Sequence, residues 1–219
     1  MRLLFYLIIV IPVAVVIYLL AREVYKVQIL NQVISRLKAD SRIAEVIVTK
    51  TEFDEKNKKV STTIKFLEYN VEGQPLPPRY FTFYGNIIQF QALVIRFQDK
   101  LVEAGDKIKG KSAYIFLKAF VLAEKETQVF PITIVYDIPR GYKIQGNLDP
   151  YEEKLWREFW DYALNPDKRN VEGIKNAQIE APGSLFLPGT LYTIRIEHDG
   201  GMRIDAQPIP EILRGEKLQ

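Results

Sequence analysis

The chain contains no cysteine and a single histidine, His198. The first absence excludes disulfides, thiolate metal sites and a cysteine nucleophile. The second leaves transition-metal chemistry without its commonest ligand. Glu197, His198 and Asp199 are consecutive, so on a strand their side chains alternate and cannot converge as a triad. His198 is therefore expected as a turn residue. No serine sits in a nucleophile-elbow pattern, no acidic spacing resembles a calcium loop, and no Asn-x-Ser/Thr acceptor occurs. An excess of one charge is also missing. The net charge is +3, too small to argue for nucleic acid. On these grounds no catalytic residue, no metal and no cofactor is assigned.

A long uncharged run is present instead. From Leu3 to Ala21 the sequence holds apolar residues, Tyr6, Tyr18 and Pro12. At about 1.5 Å per residue such a helix spans roughly 28 Å, close to the hydrocarbon thickness of a bilayer. Residues 1–21 are expected to be a transmembrane anchor. A cleaved signal peptide fits less well, because its exit at Leu19-Leu20-Ala21 has a bulky leucine where a small residue is needed. Pro12 is tolerated in a membrane helix, and the tyrosines suit the interfaces. The expected location is the inner (plasma) membrane, single-pass, with the remainder exported to the periplasmic or extracytoplasmic side. Arg22, Lys26, Arg36 and Lys38 pull the other way under the positive-inside rule.

Residues 22–42 are expected to form a helical stalk. Val27, Leu30, Ile34 and Leu37 are spaced 3, 4, 3, as at a and d of a heptad. Two alternatives stay open. The stripe makes a short coiled coil and a homo-oligomer, or it lies on the chain's own domain.

Residues 43–213 read as one β-rich globular domain, with 214–219 as a tail. IAEVIVTKTEF and VSTTIKFLEY flank the polar turn Asp54–Lys59 and make a hairpin. Asn70–Arg79 holds three prolines and a glycine and is a loop. YFTFY and IIQFQALVIRF follow, joined at Gly85-Asn86 by a tight turn or bulge. Ala113–Glu124 fits a strand better than a helix, because VFPITIVYDI looks like its partner, with Pro131 at an edge or bulge. Gly141–Gly146 is a short strand or turn. The one clear soluble helix starts at Asp149 as N-cap with Pro150 first and Glu152 three after the cap, and stops at Asn165-Pro166. IKNAQIEA is followed by the loop PGSLFLPG, and Thr190–Ile204 is a hairpin. The fold class is a mainly antiparallel, β-rich α+β domain, a sandwich or partly open barrel with one amphipathic helix.

Two constellations carry possible function. Gly105, Gly110, Lys111 and Ser112 satisfy G-x-x-x-x-G-K-[ST], in which backbone amides and a lysine cradle phosphates and the hydroxyl binds Mg²⁺. That motif needs a strand before it and a helix after it, and neither is expected, so a lysine-rich turn is the simpler reading. Leu155, Trp156, Phe159, Trp160 and Ala163 form one helix face. The face either packs on the sheet or presents Trp156 and Trp160 as a partner-binding anchor. Together these features favour a non-enzymatic, membrane-anchored envelope protein, a scaffold or accessory subunit with protein partners. The alternative is a lipid or apolar-ligand carrier with an aromatic cavity, and the third is a tethered nucleotide-binding protein using the GDKIKGKS loop.

Overall fold

The structure, a computed structural model, describes residues 11–21, 24, 42–70, 73–97, 112–122, 127–143, 150–169, 174–196 and 201–210. Residues 11–21 are helical (α1). Among the described residues no helix is long and apolar enough to cross a membrane. α1 alone spans about 16 Å at 1.5 Å per residue, roughly half a bilayer. The rest of the uncharged run, residues 3–10, lies outside the described residues. So do Val27, Leu30, Ile34 and Leu37 of the stalk.

The body is two antiparallel sheets and helices, in line with a β-rich α+β domain. The first sheet has the order β10-β9-β1-β2-β3, with β1 Arg42–Asp54, β2 Lys59–Glu68, β3 Arg79–Tyr84, β9 Thr190–Ile196 and β10 Met202–Pro208. The second has the order β6-β5-β4-β7, with β4 Ile87–Phe97, β5 Ser112–Val121, β6 Gln128–Pro131 and β7 Ile174–Glu180. β8, Gly183–Leu185, also pairs β4. Inward residues of both sheets form one core that includes Val46, Ile64, Phe66, Phe83, Phe90, Phe116 and Ile194. Phe66 stacks on Phe90 at 5.2 Å and meets Phe116 edge-on at 5.2 Å, so the space between the sheets is filled by rings.

The outer face of the second sheet carries a second core. Leu93, Ile95 and Ile115 pack against Leu155, Trp156, Phe159 and Trp160 of α2, Pro150–Leu164. Pro150 opens this helix and Asn165-Pro166 closes it, after which α3, Pro166–Arg169, makes one turn. Asp149, the expected cap, lies outside the described residues. Both tryptophans are 0% exposed. The helix face is therefore packing, and neither ring is open to a partner. Trp160 Nε1 donates to Asp137 O at 2.8 Å, whereas the buried Trp156 Nε1 has no partner among the described residues.

Three expectations are corrected. Gly85-Asn86 is not a hairpin turn, because β3 belongs to the first sheet and β4 to the second. It is a crossover between layers, which Gly85 makes at φ 90, a left-handed value that suits glycine. VFPITIVYDI is a strand only to Pro131. A β-bulge leaves Leu117 opposite nothing on β4, and its carbonyl accepts Ile132 N and Thr133 N, which ends the pairing and bends the chain away. The expected loop PGSLFLPG contributes β8. Of the strand or turn expected at Gly141–Gly146, the described part is a 3-10 turn over 140–142.

The two tryptophans should differ on conversion to phenylalanine. Trp160→Phe loses a hydrogen bond and strands an acceptor, so it should cost about 1–2 kcal/mol more than Trp156→Phe, which removes an unpaired donor. Urea unfolding followed by circular dichroism measures this. Equal midpoints for the two variants would contradict the assignment.

Candidate functional site

The strands give the domain two distinct ends. The chain enters at Arg42, and Ala44 pairs with Glu68 there, with Tyr69 N donating to Ile43 O. The β1–β2 turn, the Tyr84–Ile87 crossover and Leu185, which pairs Ile87, lie at the far end.

At the entry end β2 runs Thr62, Ile64, Phe66 into the inter-sheet core, and Glu68 continues that parity. A carboxyl therefore sits where the pattern calls for an apolar side chain, and it is only 8% exposed. Arg79 shares the inward parity of Phe81 and Phe83 on β3 and donates from Nη1 to Pro131 O at 3.1 Å. The 3-10 turn supplies Arg140 and Gly141. A methyl group built on Gly141 would lie 3.4 Å from Glu68 Oε1, so the turn packs directly on the carboxyl. Burial pushes the Glu68 carboxyl up to about 7, and the fields of Arg79 and Arg140 only partly oppose it. Burial in turn pulls Arg79 down, helped by the nearby Arg140.

A file of tyrosines surrounds this group and crosses all the layers. Tyr142 OH donates to Tyr114 O at 2.7 Å, Tyr114 OH to Tyr69 O at 3.2 Å, and Tyr69 OH to Glu45 Oε2 at 2.6 Å. Burial, together with the charge of Glu68, holds the Tyr114 and Tyr142 hydroxyls well above the usual phenol range, so they remain neutral donors. The cluster can hold or release one proton near neutrality. No serine, threonine or histidine is placed against it as a nucleophile among these contacts, and no group of metal-ligating side chains occurs among the described residues.

The far end exposes apolar side chains beside the polar turn Asp54–Lys59. Phe53, Val60, Tyr84, Ile87, Leu122 and Leu185 all show large surfaces there. Asp54 stiffens the hairpin by accepting from Lys56 N, Asn57 N, Asn57 Nδ2 and Tyr84 OH, and these bonds lower its carboxyl from the usual range.

Of the residues singled out from the sequence, Gly105, Gly110, Lys111 and His198 lie outside the described residues. Ser112 opens β5 and pairs Arg96 in an antiparallel ladder. What leaves the GDKIKGKS stretch is thus a strand, not the helix a phosphate loop requires, and Ile132–Asp137 turns instead of ending a parallel strand. Of the aromatic residues behind the apolar-ligand expectation, Phe81, Phe83, Phe90, Tyr114 and Phe116 are buried in the core between the sheets. Glu68, Arg79 and Arg140 were not singled out from the sequence. The signal that could have found the first two is parity, since each continues an inward-facing series past its last apolar member.

No protein-family model, no curated protein and no solved structure matches the chain.

Glu68 sets a definite pH response. Its carboxyl is raised to about 7 in the folded chain against 4.5 unfolded, so the unfolded chain loses this proton first. Stability from this group is full below pH about 4.5 and falls as pH rises to about 7, by at most on the order of 3 kcal/mol. Glu68→Gln should leave the melting temperature nearly unchanged at pH 4 and raise it at pH 8. An equal gap between variant and parent at both pH values would refute the assignment.

Proposed function

We propose that this chain is a non-enzymatic, single-pass envelope protein of the inner (plasma) membrane. It holds its β-rich domain on the extracytoplasmic side as a scaffold or accessory subunit of a membrane-associated complex. The observation that carries the reading is the division of the domain into two ends. The chain enters beside Glu68, Arg79 and Arg140, and exposed apolar side chains gather at the opposite end. Exposed apolar clusters of this kind mark protein contacts. A domain tethered at one end and carrying exposed apolar side chains at the other suits a subunit that reaches from the bilayer to a protein. The uncharged run from Leu3 to Ala21 supports the tether.

Two fractionations test this. The full chain should stay with the membrane pellet through an alkaline carbonate wash, and a variant lacking residues 1–21 should appear in the supernatant. In cells with a permeabilised outer layer, protease should remove the C-terminal tail. Release of the full chain by carbonate would end the anchor reading, and a protected tail that is cut in broken cells would reverse the orientation.

A further inference from the structure

β10 is the last strand on its side of the first sheet, with β9 as its one strand partner among the described residues. Its outer edge has a definite phase. Ile209 N donates to Gly189 O at 3.0 Å, one step beyond the Pro208–Thr190 pair of an unbroken register. Backbone groups in an antiparallel ladder alternate between the two sides of a strand. Residues 203, 205 and 207 therefore turn theirs to β9, and Met202, Ile204 and Ala206 turn theirs outward. Pro208 falls in the outward set, where its missing N–H ends any added ladder. The side chains of Met202 and Ile204 pack on the core between the sheets. Arg203 and Asp205 lie on the other face, 55% and 45% exposed. Asp205 Oδ1 takes Arg203 Nε at 3.1 Å, and its Oδ2 takes Arg195 Nε at 3.1 Å. Arg195 and Arg203 stand directly opposite each other, so one carboxylate serves both. The opposite flank of this sheet is closed differently. There Tyr84 N of β3 donates to Gln128 Oε1 of β6, and Arg79 Nη1 donates to Pro131 O.

We infer that β10 docks on β10 of a second copy of the chain, edge to edge and antiparallel, about a two-fold axis through Ile204. Charge selects both the partner and the register. With the axis at Ile204, Arg203 of each copy lies opposite Asp205 of the other. With the axis at Arg203 that residue faces its own counterpart, and with the axis at Asp205 the two carboxylates face each other. Axes at Met202 or Ala206 place neither charge opposite one of the other sign. The backbone fits the same axis. Ile204 meets its counterpart and Met202 meets Ala206, and all of these residues offer outward N–H and C=O groups. The pairing gives Arg203 a second carboxylate, where the single copy shares one between two arginines. Charges guard a strand edge against its own kind when like signs meet. Arg203 and Asp205 do the reverse, since opposite signs two residues apart attract the same strand turned about the residue between them. The contact joins two five-stranded sheets into one continuous sheet. Nothing in this pairing uses the tether proposed above.

The chain has no native cysteine, so introduced thiols are the only ones present. Two differently tagged full-length chains, one Arg203→Cys and one Asp205→Cys, are mixed in detergent micelles and mildly oxidised. The mixed disulfide should form about tenfold more readily than either self-disulfide, because only positions 203 and 205 lie directly opposite. Sedimentation of the full chain tests the charges. Arg203→Asp and Asp205→Arg should each raise the dissociation constant of the dimer about tenfold. An equimolar mixture of these two variants should regain the dimer, which also shows that each is folded, and so should one chain carrying both changes. Self-disulfides as frequent as the mixed one overturn the inference, as do single variants that dimerise like the parent or a mixture that stays monomeric. If Val27→Cys crosslinks while the 203–205 pair does not, copies meet through the stalk alone, and the inference fails. It fails too if the 203–205 disulfide appears only after residues 211–219 are removed, because the chain's own tail then occupies the edge.

Discussion

The structure depends on β4 being buried on both sides. Its inward residues close the core between the sheets, and Leu93 and Ile95 on its other side receive α2. A strand in that position must be apolar at every residue where both layers exist, and at alternate residues where only one does. The sequence obeys this from Ile88 to Ile95. Ile-Gln-Phe-Gln alternates where one layer is present, and Ala-Leu-Val-Ile is continuous where α2 begins. The break falls at the Gln91/Ala92 bulge, where Leu117 on β5 is the extra residue. One irregularity therefore does three things. It marks the limit of the helix layer, frees the Leu117 carbonyl to stop β6, and turns residues 132–139 towards α2, where Asp137 O accepts from Trp160.

The entry end shows the opposite economy. Glu68, Tyr69, Tyr114 and Tyr142 carry polar groups there, yet they are nearly as deep as the core. Glu68 has lost most of its water, and two arginine fields do not fully replace it. The tyrosine file gives those layers directional bonds, since each hydroxyl donates to the next layer's backbone or carboxylate. Ring contacts accompany it, with Tyr142 against Tyr114 at 6.2 Å and against Trp156 at 5.5 Å. Apolar packing holds the middle of the domain without fixing where strands end. A buried carboxyl and a bonded file of hydroxyls fix one register at the end where the chain enters.

Much of this was legible because strand burial writes itself as a period of two. The β1–β2 and β9–β10 hairpins, the strand from Ser112, the edge position of Pro131 and the helix from Pro150 all follow from alternation, turn residues and caps. What was not legible depended on partners remote in sequence. Gly85-Asn86 has the length of a hairpin turn, and only the pairing of β4 with β5, β7 and β8 makes it a crossover. Ile132–Asp137 has strand composition, and a carbonyl freed fifteen residues earlier decides otherwise. Glu68 reads as an ordinary surface glutamate until parity is carried one step beyond Phe66. The tryptophans show the same limit, since their spacing fixes a shared face but not what that face meets.

On the outward side of β4, α2 covers Leu93 and Ile95, and Gln89 and Gln91 lie beyond it. If the outward side of β4 beyond the bulge were simply solvent-facing, polar residues should continue to its end. They do not. Gln89 and Gln91 are followed towards the far end by Ile87, and its neighbours across the sheet, Leu185 and Leu122, are apolar and exposed as well. An apolar row beyond a polar one cannot be explained by the core, which lies on the other side, or by α2, which stops short.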